Sequence, residues 1–131
     1  MTERTLFLLF NHQITEAQRE DASKSLGVGR IMDLPAGLKQ VWRDIPPDLP
    51  EIGAFLEPVR KWLEEESRPG DFVLIQGDFG ACYLMAGFAF EKGLVPIYST
   101  TDREVEEERG ADGLVKVTHA FRHRIYRKYG I

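Results

Sequence analysis

An α/β fold with a mainly parallel central sheet and a C-terminal antiparallel hairpin is predicted by three observations. Apolar runs at residues 5–10, 72–76 and 94–98 have the length and continuity of strands buried on both faces, as parallel sheets require. Segments with helical spacing lie between them. After Asp102 the pattern changes to alternation about Asp112-Gly113, the strongest hairpin-turn signal in the chain.

Each element has its own local reason. The run Leu6-Phe7-Leu8-Leu9-Phe10 makes the first strand. Thr15 with Gln18 three residues on forms a capping box for a helix running through Ala17 and Ala22 to Leu26, where Gly27 supplies the C′ residue. A brief second strand, Arg30-Ile31-Met32-Asp33, follows the turn glycines. A short helix is expected within 34–44, after Pro35, and the three prolines of Ile45-Pro46-Pro47-Asp48-Leu49-Pro50 force an extended loop. In 51–66 the apolar positions Ile52, Phe55, Leu56, Val59, Trp62 and Leu63 fall at helical spacing, and Pro58 requires a kink or a break in the first turns. The strand at 72–76 leads through Gly77-Asp78-Phe79 into a helix at 80–92, stopped by Gly93. In the strand at 94–98, Pro96 marks a position whose N–H the sheet does not need. The order β-α-β-α-α-β-α-β implies right-handed crossovers and helices on both faces. In the tail, Val115, Val117, His119, Phe121, His123 and Ile125 alternate against Lys116, Thr118, Ala120, Arg122, Arg124 and Tyr126.

With 131 residues, 43% hydrophobic and 29% charged, the chain fits one globular domain spanning 1–131. The apolar run near the N-terminus is too short for a signal segment, and no run approaches the length that crosses a bilayer, so a cytoplasmic protein without membrane partners is expected. Cys82 is the single cysteine, which excludes an internal disulfide and a cysteine-based zinc site within one chain. Its apolar surroundings suit a buried, inert thiol. A net charge of −4 argues against binding a long nucleic-acid duplex. The charge is uneven, however. Glu104, Glu106, Glu107 and Glu108 precede a tail carrying Arg122, Arg124, Arg127 and Lys128, which leaves room for a compact anionic ligand while most of these cations pair with the acidic strand.

In a parallel sheet the carboxyl ends of the strands gather Asn11-His12, Gln76-Gly77-Asp78-Phe79-Gly80 and Ser99-Thr100-Thr101-Asp102-Arg103 along one rim. Amides and hydroxyls there suit bases and ribose, a helix N-terminus suits phosphate, and Arg103 suits charge pairing. Several of these residues carry two readings. His12 serves as a general acid or base, or holds the loop and caps the next helix. Asp78 receives a hydroxyl or exocyclic amine, or is an N-cap. Phe79 stacks on a base, or is core. The Asp78-Phe79-Gly80 triplet resembles the kinase magnesium motif, but no glycine-rich nucleotide loop or catalytic loop accompanies it, and Gly27-Val28-Gly29 lacks a dinucleotide fingerprint. His119 and His123, at i and i+4, lack a convincing third ligand, so no metal and no cofactor are expected.

Taken together, Leu6-Phe7-Leu8-Leu9-Phe10-Asn11-His12, Ile45-Pro46-Pro47-Asp48-Leu49, Leu74-Ile75-Gln76-Gly77-Asp78-Phe79-Gly80-Ala81 and Arg127-Lys128-Tyr129-Gly130 resemble the small ring nucleases associated with type III CRISPR systems. The resemblance covers essentially the whole chain. It implies a Rossmann-like three-layer sandwich, a homodimer, and binding of cyclic oligoadenylate, foremost cyclic tetra-adenylate, across the two-fold axis. It also implies metal-independent linearisation, in which a ribose 2′-hydroxyl attacks its neighbouring phosphate; the alternative is a binding protein that sequesters the messenger uncut. Matching both motif and rim, His12, Asp78 and Arg103 are the expected catalytic set. Asn11, Gln76, Gly77, Phe79, Gly80, Thr100 and Thr101 are the expected ligand-binding set.

Overall fold

Pairing of the apolar runs produces the sheet. In the computed structural model, which describes residues 3–131 apart from the side chains of Glu104, Glu106 and His119, β1 (Arg4–Leu9) is central. It is flanked in parallel by β2 (Val28–Asp33) and β3 (Phe72–Ile75). β3 pairs in parallel with β4 (Val95–Arg109), and β5 (Val115–Lys128) closes the edge antiparallel to β4, giving the order β2-β1-β3-β4-β5. The architecture is therefore mixed α/β, a mainly parallel sheet with an antiparallel hairpin, as the sequence predicts. The expectations placed on Glu104, Glu106 and His119 lie outside the described residues.

The side-chain period of two sorts the strand residues onto opposite faces. Phe7, Leu9, Val73 and Ile75 face one way, packed with Trp42, Leu56, Val59, Leu63, Met85 and Ala89 from the segments at α2 (Ala36–Arg43), α3 (Glu57–Glu66) and α4 (Phe79–Glu91). Leu6, Leu8, Phe10, Leu74 and Ile97 face the other way, toward Ala22 of α1 (Glu16–Leu26). The capping box of α1 is formed as its sequence asks: Gln18 N–H donates to Thr15 Oγ1 at 3.1 Å, and Thr15 N–H donates to Gln18 Oε1 at 2.8 Å. Pro58 resolves as a break. α3 starts at Glu57 with the proline in its first turn, where its missing N–H costs nothing, and residues 51–56 form turns and an extended stretch rather than helix.

Two expectations change at the hairpin. β4 is one strand of 15 residues, not a short strand followed by a separate hairpin: its first part pairs with β3 as far as Ile97, and the remainder pairs only with β5, forming a two-stranded arm beyond the sheet. The alternation predicted for β5 also inverts near its end. Ser99 pairs with Tyr126 but Thr101 pairs with His123, so the partner strand carries one extra residue. At this bulge Thr100 Oγ1 accepts from Ile125 N–H and donates to the Ile125 carbonyl, both at 3.1 Å. Tyr126 therefore joins the α1 face together with His123, and Ile125 is left exposed.

Among the described residues no helix is long and apolar enough to cross a membrane, and no group of His, Cys, Asp or Glu is placed to hold a metal ion.

Candidate functional site

The strand order reverses direction between β1 and β3, since the chain leaves β1 toward β2 and returns on the other side. In open α/β sheets the crevice at such a switch point, outside the carboxyl ends of the strands, is where ligands bind. Here those ends carry Asn11-His12 after β1 and Gln76-Gly77-Asp78 after β3.

Gln76 is fastened on three sides. Its N–H donates to the Leu9 carbonyl at 3.0 Å, its carbonyl accepts from Trp42 Nε1–H at 3.0 Å, and its Oε1 accepts from Ser99 N–H at 2.8 Å. With the oxygen committed, the amide NH2 is what the carboxamide can offer a ligand. The Trp42 ring lies so close to the turn that a Cβ on Gly77 would stand 2.9 Å from its Nε1, which requires glycine there. Asp78 adopts the capping reading: its carboxylate accepts from Ala81 N–H at 3.0 Å, terminating α4 at its N-end.

Helix α4 is apolar on every side, and its sequence FGACYLMAGFAFE does not say which face turns inward. Size decides. Ala81, Met85, Ala86 and Ala89 pack on the sheet, where small side chains allow close approach, while Phe79 (95% exposed), Tyr83 (80% exposed) and Phe90 project outward. Phe79 is thus not core, and the outward aromatics form the kind of contiguous apolar surface that marks a binding site. They line an open cleft of about 1180 Å³ together with Gln76, Gly77, Cys82, Tyr98 and Tyr129. Arg60, which pairs with Glu57 at 2.8 Å, Lys128 and Glu91 are the charged side chains along it.

The chain's last residues close the cleft's rim. Tyr129 donates its hydroxyl to the Ile75 carbonyl at 2.5 Å and sets its ring edge-on to Tyr98, 5.0 Å between centroids. Burial pushes the Tyr129 phenol up, so it stays a donor at neutral pH. Burial likewise raises the Cys82 thiol, against hydrogen bonds to Tyr129 and the Gly77 backbone that pull the other way, in keeping with an inert thiol. Gly130, at φ +82°, turns the tail beneath the Phe90 ring, 3.4 Å from where a Cβ would sit.

The predicted residues divide. Gln76, Gly77 and Phe79 line the cleft; Asp78 and Gly80 shape the helix start beside it, Gly80 packing where a Cβ would touch Asp78 and Ile52. Asn11 and His12 stand at the neighbouring strand end. The His12 ring is edge-on to Phe10 at 5.3 Å, while Thr15 does the capping, and Asn11 Oδ1 is buried without a hydrogen-bond partner. Thr100 braces the bulge. Thr101 and Arg103 belong to the arm, Arg103 opposite Phe121 and roughly 13 Å beyond Ser99 at the usual rise per strand residue. Arg124 pairs with Asp102 at 3.1 Å, as expected of the tail cations, and Arg127 lies 5.7 Å over the Tyr98 ring. Sequence reasoning missed Tyr83, Tyr98 and Tyr129 as cleft residues; the available signal was outward aromatic spacing on α4 and the Tyr at the last position of the 94–98 run.

Fold and cleft together define an α/β domain with an aromatic-lined cleft beside the switch point of a mainly parallel sheet. The chain belongs to the MJ1673 family: the family described as "Uncharacterized protein MJ1673 family" matches residues 4–127. It is 45% identical over 124 residues to the Methanocaldococcus jannaschii protein described as "Uncharacterized protein MJ1673", a match covering 95% of each chain. No solved structure matches the chain.

Proposed function

We propose that the protein is a cytoplasmic ring nuclease that binds cyclic oligoadenylate, cyclic tetra-adenylate first, and linearises it without a metal or cofactor, switching off type III CRISPR signalling. On this reading residues 1–131 form one Rossmann-like three-layer domain, and two copies hold the ligand across their two-fold axis. The observation that carries the proposal is Phe79: an aromatic ring 95% exposed in the first turn of α4, beside the Gln76-Gly77 turn. Base stacking on such a ring is worth about 1–3 kcal/mol. The first amides of the helix and its positive dipole end favour phosphate, and Lys128 adds a positive charge along the cleft.

In the proposed step a ribose 2′-oxygen attacks the adjacent phosphorus and loses its proton to His12. The P–O5′ bond breaks, the 5′-oxygen takes a proton, and a 2′,3′-cyclic phosphate remains. Arg103 from the arm offsets the phosphorane charge. Asp78 contributes by fixing the helix start, and Asn11, Gly80, Thr100 and Thr101 frame the ligand. Orientation and fixed donors supply most of the rate in such a reaction.

Sequestration without cutting is the second reading, favoured by one observation: Asp78 Oδ2 accepts from Ala81 N–H as the helix cap, a structural role. Protein in excess over cyclic tetra-adenylate, with chelator present, is incubated and the products are separated by chromatography. Linear product ending in a cyclic phosphate is expected. Intact ligand with calorimetric binding selects sequestration, and absence of binding overturns both.

A further inference from the structure

The face of the sheet covered by α1 is held by apolar contacts and polar groups together. Of its own residues α1 buries Gln18 and Ala22 fully and Leu26 in part, little apolar surface for a helix of 11 residues. A run of side chains from three elements adds to the attachment. Ser25 Oγ–H donates to Asp21 Oδ1 at 2.5 Å; Asp21 Oδ2 meets His123 Nε2 at 2.7 Å; His123 Nδ1 meets Ser99 Oγ at 2.5 Å. Ser99 N–H then reaches Gln76 Oε1 at the cleft. Gln18 Nε2 donates to Ser99 Oγ at 3.4 Å, the Tyr126 hydroxyl donates to the Gln18 carbonyl at 2.9 Å, and the Tyr126 ring covers the imidazole at 4.6 Å.

Ser99 is 7% exposed and the His123 side chain 4%, so an unpaired link here is costly. An ionised carboxylate only accepts, which puts a proton on His123 Nε2, while Nδ1 faces the Ser99 hydroxyl. The β5 bulge makes this possible, because it turns both Tyr126 and His123 toward α1. The run starts on the helix that follows the Asn11-His12 loop and ends on Gln76, so it joins the two loops on either side of the switch point.

We infer that His123 is a positioning residue: it clasps the β4–β5 arm to α1 through Asp21 and, through Ser99, sets the Gln76 carboxamide at the cleft. The ligand-binding consequence rests on the function proposed above; the clasp itself does not.

Two amide isosteres separate the links. His123→Asn puts an amide near the Nδ1 position and keeps the Ser99 side, whereas His123→Gln puts one near Nε2 and keeps the Asp21 side. Ser99→Ala and Asp21→Asn each alter a single partner and carry the test if a His123 variant does not fold. Hydrogen exchange is measured on the ligand-free protein, with calorimetric titration of cyclic tetra-adenylate alongside. Exchange at 11–15 is expected to rise about tenfold in His123→Asn and Asp21→Asn, and at 76–78 and 99–101 in His123→Gln and Ser99→Ala, the loss of roughly one hydrogen bond, while the amides of β1 and β3 keep their protection. Affinity is expected to fall by about the same factor. In wild type, a downfield imidazole N–H resonance is expected that survives in Ser99→Ala and disappears in Asp21→Asn. Unchanged exchange at 76–78 in His123→Gln and Ser99→Ala, absence of that resonance, or looser loops with unchanged affinity overturns the positioning role. If wild type binds no cyclic tetra-adenylate yet the variants loosen both loops, the ring-nuclease reading falls and the clasp stands.

Discussion

On one face of the sheet Trp42, Leu56, Val59, Leu63 and Met85 close over Phe7, Leu9, Val73 and Ile75; on the other, α1 brings Ala22 and, beside it, Gln18 and Asp21. The first face is held by non-directional burial, which scales with apolar area and is indifferent to pH. The second adds to its apolar cluster groups that must be paired, oriented and in the right protonation state. The difference teaches where each kind of role belongs. The dry face gives α4 a rigid seat from which to present its outward aromatics, and the polar face gives the β1–α1 loop an attachment that one altered side chain can loosen.

Breaking the dry face gives the largest effect. Leu63→Ala is expected to cost about 2–5 kcal/mol, read as a lower denaturation midpoint with unchanged slope, because the residue is fully buried. Asp21→Asn on the polar face is expected to cost about 1 kcal/mol. Similar losses for the two would erase the contrast.

Acid and alkali sharpen it next. Burial works to raise the Asp21 carboxyl, but hydrogen bonds from Ser25 and His123 and the His123 charge together hold it below its ordinary value of 3.8. A depressed carboxyl contributes stability above its unfolded-state value and loses it as pH falls through the folded one, so wild type is expected to weaken below about pH 4 more than Asp21→Asn does. Burial, with the nearby Asp21 charge, raises the Tyr126 phenol above its ordinary value of 10.0. The sign is then opposite: the contribution is present below pH 10 and fades above it. Tyr126 and Tyr129 are both expected to titrate, by ultraviolet absorbance, only as the protein unfolds.

The smallest effect on stability is expected from Phe79→Ala. Its ring is almost wholly exposed, so the change stays within about 0.5 kcal/mol, while affinity for cyclic tetra-adenylate falls by about 1–3 kcal/mol on titration. A stability loss as large as that of Leu63→Ala would assign the ring to packing.

Local chemistry was readable in the sequence. The Thr15–Gln18 box, the break at Pro58 and the strand runs all depend on neighbours within a few residues, and they appear as the pattern implies. The inward face of α4 was not readable, because an all-apolar helix has no preferred side until the sheet selects its small residues. Neither was the His123–Asp21 contact, which joins positions 102 residues apart through a bulge that no alternation pattern announces. Of the candidate site, the Gln76-Gly77-Phe79 turn was visible as a strand end beside a helix start, whereas the tyrosines converge only after the chain's tail folds back.

The extra residue in β5 acts as a phase shift. Upstream of it Val115, Val117, Phe121 and His123 share one side of the arm; past it, the even-numbered Tyr126 takes that side. Removing Ile125 would restore simple parity with Tyr126 still opposite Ser99, Arg124 opposite Thr100 and His123 still opposite Thr101. A one-residue deletion there would keep the two surfaces of the arm where they are and remove only the brace that Ile125 makes with Thr100.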